Sequence, residues 1–303
     1  PTEGRLSTAL DGLRQLVRRL DSHARTAQSD RMIATTSRPA PSATPADRQV
    51  LRALLSRPCP AVMGVLNITP DSFSDGGQFI APQSALAQAR RMITEGADII
   101  DIGAESTRPY GAQPVTADEE LQRLRPVLAD VVSLGVPVSI DSMKSAVVAW
   151  ALDAGASIAN DVWGLQRDPD MAKLVAARHS PVIVMHNRDR VEADIDIMKD
   201  MAAFFARSLE IADKAGISRE NIVLDPGIGF GKTPEQSMTA LARLDELGAF
   251  GLPLLVGASR KRFISSVSPS EPQQRLGGSI AAHLIAARGG ARIIRTHDVA
   301  ETV

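Results

Sequence analysis

The chain has one cysteine, Cys59, among 303 residues, which rules out an internal disulfide and suits a reducing compartment. Charge of one sign is missing too: 34 Lys and Arg face 35 Asp and Glu, for a formal net charge of −1. A chain so balanced has no positive surplus to hold a nucleic-acid backbone or an anionic membrane, and any anion it binds must be met locally. No apolar run approaches the roughly 18 residues needed to cross a bilayer. With 44% hydrophobic residues, these absences describe a cytosolic globular protein with material for a large core.

Absent motifs narrow the chemistry. No Cys/His cluster has zinc spacing, so a protein-caged transition metal is not expected. No G-x-S-x-G elbow offers a serine nucleophile. "GFGKTP", Gly229 to Pro234, fails as a phosphate loop because Pro226 stands where the spacing demands glycine. Cys59, between Pro58 and Pro60 with no histidine close by, reads as an incidental thiol. His179 and His283 lie in helix-like segments and read as surface or packing residues.

From Ala61 onward, short apolar runs alternate with helix-like segments. The runs are "VMGVLN", "DIIDIGAES", "PVSIDS", "SIANDV", "PVIVMH", "NIVLDPG", "PLLVGAS" and "RIIRTHD". Runs too apolar to have a solvated face argue for parallel strands covered by helices. About eight such units predict a (β/α)8 TIM barrel. An open doubly wound sheet is the alternative, but no dinucleotide-type glycine fingerprint follows the first run.

The N-terminal part reads differently. Leu6, Leu10, Leu13, Leu16, Val17 and Leu20 fall at helical spacing, predicting an amphipathic helix over about residues 5–25, and Ala34 to Asp47 is a Pro/Ser/Ala-rich linker. Glu3, Asp11, Asp21 and Asp30 argue against an organelle transit peptide, which would be poor in acids. Residues 1–56 are thus read as an N-terminal extension and 57–303 as the barrel. The chain stops at "HDVAETV", where an eighth helix is due; either further residues supply it or the N-terminal helix takes its place.

Nearly every run ends in a residue suited to chemistry: Asn67, Glu105, Asp141, Asn160 with Asp161, His186, Asp225, Ser259 with Lys261, and Arg295 with His297. A barrel gathers such ends around one mouth, whereas an open sheet spreads them along an edge. Asp141, Asn160, Asp225 and Lys261 suit a flat, nitrogen-rich heterocycle, because carboxylates accept from ring N–H groups and lysine donates to ring oxygen or nitrogen. Arg295, His297, Asn67, Thr107 and Arg108 supply donors for an anion, and Asn67 can offer an oxygen to magnesium.

"MGVLNITPDSFSDGG", "DIGAESTRP", "SIDSMKS", "IANDVWG", "LDPGIGFGK", "LVGASRKRFI" and "IIRTHDVAET" resemble, in order and content, the motifs of the dihydropteroate synthase family. The resemblance covers about residues 61–303. It implies a homodimeric barrel enzyme that condenses 6-hydroxymethyl-7,8-dihydropterin diphosphate with 4-aminobenzoate, using Mg2+. Carried over by motif, Asp141, Asn160, Asp225 and Lys261 bind the pterin, with Met185 and Phe230 as apolar walls. Asn67, Thr107, Arg295 and His297 hold the diphosphate, Asn67 through magnesium. Thr107, Arg108, Ser259 and the loop carrying Phe73 form the aminobenzoate site, Phe73 covering it when the loop closes. Asn67, Lys261, Arg295 and His297 are the residues implied in catalysis. "STRPYGAQPVTADEE" departs from the commonest family form, in which glycine follows the proline directly. A methyltetrahydrofolate-type methyltransferase would share the Asp-Asn-Asp pocket but need neither Arg295-Thr296-His297 nor "TPDSFSDGG", and a non-catalytic pterin-binding subunit would have lost Asn67, Lys261 or Arg295.

Overall fold

The computed structural model describes residues 46–68, 82–105 and 115–303. The leucine-striped segment 5–25, the linker up to residue 45, and the predicted site residues Phe73, Thr107 and Arg108 lie outside the described residues. Eight parallel strands close into a barrel in sequence order, as the alternation predicted. They are β1 (Ala61–Asn67), β2 (Ile99–Gly103), β3 (Val138–Asp141), β4 (Ile158–Asp161), β5 (Val182–Met185), β6 (Ile222–Asp225), β7 (Leu254–Val256) and β8 (Ala291–Thr296).

Helices cover the strands on the outside. Between β1 and β3 run α2 (Pro82–Thr94), α3 (Ala117–Leu124) and α4 (Leu128–Val132); then come α5 (Ser145–Asp153), α6 (Met171–Arg178), α7 (Ile197–Ala215), α8 (Pro234–Ala242), α9 (Arg262–Val267) and α10 (Leu276–Arg288). Their starts are written locally. Thr233 and Gln236 form a capping box at α8, with Pro234 in its first turn, and Asp196 accepts from Met198 and Lys199 N–H at the head of α7.

Because side chains alternate along a strand, residues two apart share a face. Val62, Leu66, Ile100, Ile102, Val182, Val184, Ile222 and Leu224 point outward into the layer between sheet and helices. Ala61, Met63, Ile99, Ile158, Ile183, Val223, Leu255 and Ile293 point inward and form the barrel floor. Two residues further along β2, β4, β6 and β8, toward the C-terminal end, the inward positions turn polar, as Asp101, Asn160, Asp225 and Arg295, while β5 keeps the apolar Met185. A dry floor thus supports a polar mouth.

The floor has a lid from a stretch that the sequence reading gave to the extension. Ahead of β1, α1 (Ala46–Leu55) sends Leu51 and Leu54 into the same apolar cluster as Met63, Ile99 and Ile293. Arg292 at the start of β8 donates to the Leu55 carbonyl from Nε at 3.0 Å, satisfying one of the carbonyls that a helix end leaves unpaired. After β8 comes the four-residue helix α11 (Val299–Thr302).

Candidate active site

The mouth is organised around Arg295. Its Nε donates to Asp101 Oδ2 at 2.6 Å and its Nη2 to Asp141 Oδ2 at 2.8 Å. Asn160 Nδ2 donates to the same Asp101 carboxylate at 3.2 Å. Asp101 is fully buried, so its role is to orient Arg295 and Asn160 from beneath. Burial alone would weaken the guanidinium's charge, but Asp101 and Asp141 outweigh it and raise its pKa above the ordinary range. Gly103 lies beside this group: a Cβ there would stand 3.2 Å from Asp141 Cβ and 3.3 Å from the Asp141 carbonyl, so the glycine lets Asp141 lean into the mouth.

Asp141 Oδ1 is buried and has no hydrogen-bond partner among the described residues. Burial pushes the Asp141 carboxyl up from its usual range, with Arg295 pulling the other way. Asp225 is likewise raised by burial, to about 6, although Gly227 N–H donates to its Oδ1 at 2.7 Å. Leaving a buried carboxylate oxygen unpaired costs about 1–3 kcal/mol, which a ligand presenting N–H donors would recover.

An apolar wall stands beside these acids. Met185, Phe230 and Val162 are buried together, with Met143 and Trp163 packed against them. Lys261 Nζ lies 4.0 Å from the centroid of the Phe230 ring, a cation–π contact that aims the ammonium along the wall. Lys261 also lowers the pKa of Asp225, though by less than burial raises it. An acid pair, an amide, a lysine and a flat apolar wall are what an amine-bearing heterocycle requires.

Ser259 and His297 form a separate pair at the ends of β7 and β8. Ser259 Oγ accepts from the His297 N–H at 3.2 Å and lies 3.0 Å from its Nδ1. A hydroxyl that donates to Nδ1 leaves the imidazole proton on Nε2, free to donate outward. Burial, then Arg295, lowers the His297 pKa to about 3, so the ring is neutral until an anion arrives. Asn67 ends β1, opposite Gly103.

Strand parity separates the candidates by role. Asn160 faces the mouth, while Asp161 faces away and accepts from Trp163 and Leu165 N–H at 2.9 and 2.6 Å, holding the turn in which Leu165 has φ 67°. Glu105 pairs with Lys144 at 2.5 Å, which also reaches Glu120; this is a brace outside the mouth. His186 turns away from the mouth, toward Asp200 and Lys232. Sequence reasoning missed Asp101 and Lys232. The signal for Asp101 was a charge at an inward position of "IIDIG", a run with no solvated face. A cavity of about 400 Å³ lies alongside, lined by Arg167, Arg188, Arg190 and Arg207 together with acids. Three of those arginines are matched: Arg167 pairs with Asp189, Arg188 with Glu192 and Asp200, and Arg190 with Glu192.

Barrel and donor set together define an enzyme of the pterin-binding class, and the family model described as pterin binding enzyme matches residues 63–297. Dihydropteroate synthase of Bacillus subtilis is 45% identical over 239 residues, covering 78% of this chain and 83% of that protein. A probable bifunctional folylpolyglutamate synthase/dihydropteroate synthase of Haloferax volcanii is 48% identical over 250 residues, 80% of this chain; the match spans only 29% of that longer protein. The Xanthomonas albilineans dihydropteroate synthase, solved with 4-aminobenzoic acid, superposes with a TM-score of 0.78 at 43% identity over 82% of this chain and 90% of that one; it has also been solved with 7,8-dihydropteroate. The chain belongs to the dihydropteroate synthase family.

Proposed function

We propose that the barrel mouth joins 6-hydroxymethyl-7,8-dihydropterin diphosphate to 4-aminobenzoate, giving 7,8-dihydropteroate and diphosphate. The observation that carries this reading is the buried Asp141 Oδ1, without a hydrogen-bond partner among the described residues, in the same mouth as Asp225, Asn160 and Lys261. The pterin offers amine and N–H donors to the two carboxylates, Asn160 both gives and accepts, and Lys261 donates to a ring acceptor. Met185 and Phe230 sandwich the ring plane.

The methylene C–O bond to diphosphate breaks, a C–N bond to the aromatic amine forms, and the amine gives up one proton to the released diphosphate or solvent. Positive charge developing on the methylene spreads into a ring held by Asp141 and Asp225, which favours the step electrostatically. Arg295, kept charged by Asp101, and the Nε2–H of His297 donate to the departing phosphate oxygens. Ser259 holds His297 in that tautomer and borders the aminobenzoate site, to which the family motifs also assign Thr107, Arg108 and Phe73.

Magnesium is part of the proposal. Among the described residues no group of three or more His, Cys, Asp or Glu could hold a metal ion. Asn67 supplies a single neutral oxygen, and so small a donor set fits Mg2+, which keeps several waters and takes phosphate oxygens as ligands. When bound, the ion neutralises phosphate charge. We further propose a cytoplasmic homodimer; Leu284 and Ile285, exposed on α10, support a partner surface. Among the described residues no helix is long and apolar enough to cross a membrane.

The test is to mix the folded protein with pterin diphosphate, 4-aminobenzoate and Mg2+ and to follow diphosphate release. No release under those conditions would defeat the proposal.

A further inference from the structure

Lys232, on the loop after β6, is buried, 5% exposed. Burial lowers its pKa to about 7; as the ammonium it donates to the carbonyls of Gly227 and Phe230 at 2.9 and 3.1 Å and to His186 Nδ1 at 2.7 Å. His186, fully buried, therefore has its ring proton on Nε2, which donates to Asp200 Oδ2 at 3.0 Å. Phe204 lies edge-on to the same imidazole, ring centroids 4.9 Å apart. All three ammonium protons are thus used, in a dry site that penalises any that is not.

What this clamp holds is the loop after β6. Gly227 gives its N–H to Asp225, and Phe230 contributes its ring to the apolar wall and to the Lys261 contact. The loop is pressed against the segment after β5: His186 N–H donates to the Asp225 carbonyl at 2.9 Å. A Cβ at Gly227, where φ is +61°, would stand 2.0 Å from the His186 carbonyl, and one at Gly231, φ +56°, 2.5 Å from Arg188 Cβ. The two glycines permit that approach, and the lysine fixes it.

We propose that Lys232 is a positioning residue for the heterocycle pocket: tied to His186 and Asp200, it holds the Gly227–Phe230 loop so that the Phe230 ring and the Asp225 carboxylate meet the pterin together. This rests on the reading of Asp225 and Phe230 as pterin ligands given above. Replacing the ammonium by an apolar chain of similar length takes the lysine's bond from the Phe230 carbonyl and the imidazole nitrogen, leaves the Gly227 carbonyl with the Phe230 N–H as donor, and the loop shifts to reach water.

The experiment compares Lys232→Met, Asp200→Asn and Phe230→Leu with the wild-type chain by thermal melting, by steady-state kinetics with each substrate varied, and by the Kd for 6-hydroxymethyl-7,8-dihydropterin. Lys232→Met should raise the KM for the pterin substrate and the pterin Kd by more than about tenfold, with kcat and the aminobenzoate KM within about threefold. Asp200 is partly exposed, so Asp200→Asn should fold and raise the pterin KM about threefold by loosening His186; it decides the matter if Lys232→Met does not fold. A folded Lys232→Met, or failing that Asp200→Asn, with unchanged pterin KM and Kd overturns the proposal. If Phe230→Leu is also without effect on pterin binding, the placement of the pterin itself is overturned, and the role of Lys232 with it.

Discussion

Arg295 on β8 donates to Asp101 on β2 at 2.6 Å, reaching across β1, which lies between those two strands in the barrel. The contact closes the mouth electrically, and the same arginine then reaches Asp141 on β3. Asp101→Asn keeps the shape, but removes the charge and turns an amide donor toward the Arg295 and Asn160 donors. Breaking one partner of a buried pair costs up to about 3–5 kcal/mol. We expect a lower melting temperature and a fall of about 10–100-fold in kcat/KM for the pterin substrate, read from diphosphate release. Wild-type values for both would show that Asp101 does not orient Arg295.

Asp225 sets a pH dependence whose sign is opposite for fold and ligand. Its folded-state pKa of about 6 lies above the 3.8 of an unperturbed aspartate, so the folded, ligand-free protein binds the proton more tightly than the unfolded chain does. The associated stability is fully present below about pH 4 and is lost as pH rises through 6. Pterin binding to the ionised carboxylate runs the other way. The pterin Kd, measured by calorimetry from pH 8 to pH 5, should rise by about tenfold per unit below 6 on account of Asp225, and Asp225→Asn should bind weakly with the slope reduced to what Asp141, whose carboxyl pKa burial also raises, contributes. A flat profile for the wild-type protein would count against Asp225 as the acceptor.

Leu51 and Leu54 seal the barrel floor far from the mouth, 3% and 6% exposed. Leu54→Ala should cost about 2–5 kcal/mol, as buried leucine truncations do. For a barrel of this size each kcal/mol lowers the melting temperature by about 2–4 °C. Circular dichroism should therefore find a clear drop, while kcat at 25 °C stays within about twofold. An unchanged melting temperature would mean that α1 does not close the floor.

Asn67 separates metal-dependent from metal-independent binding. Chelation of Mg2+ should abolish diphosphate release, yet leave the Kd for the pterin lacking diphosphate unchanged within about twofold, since Asp141, Asp225 and Asn160 need no cation. Asn67→Ala should raise the Mg2+ concentration needed for half-maximal rate. Full activity in excess chelator would remove magnesium from the proposal.

Much of this was legible along the chain. The eight β-branched runs and intervening helical segments predicted the barrel, because a strand without a solvated face must be covered on both sides. Ending those runs in Asp141, Asn160, Asp225 and Arg295 predicted a polar mouth. Asp161 and His186 sat at equivalent strand ends but face away from it. Run ends show where a strand stops, not which parity faces inward, and a shift of one residue exchanges the faces. Lys232 was visible only as part of a failed phosphate loop, since its partners, His186 and two backbone carbonyls, come together only when the loops after β5 and β6 meet.

The sequence by itself determined the class of fold and the inventory of donors, since hydrophobic periodicity and strand-end chemistry are local properties. Only the tertiary structure decided the pairings: Arg295 with Asp101 and Asp141, Ser259 with His297, Lys261 over Phe230, and α1 beneath the floor. Those contacts join residues as far as 237 positions apart. They depend on barrel closure and on the parity of each strand, which fix distance in space independently of distance along the chain.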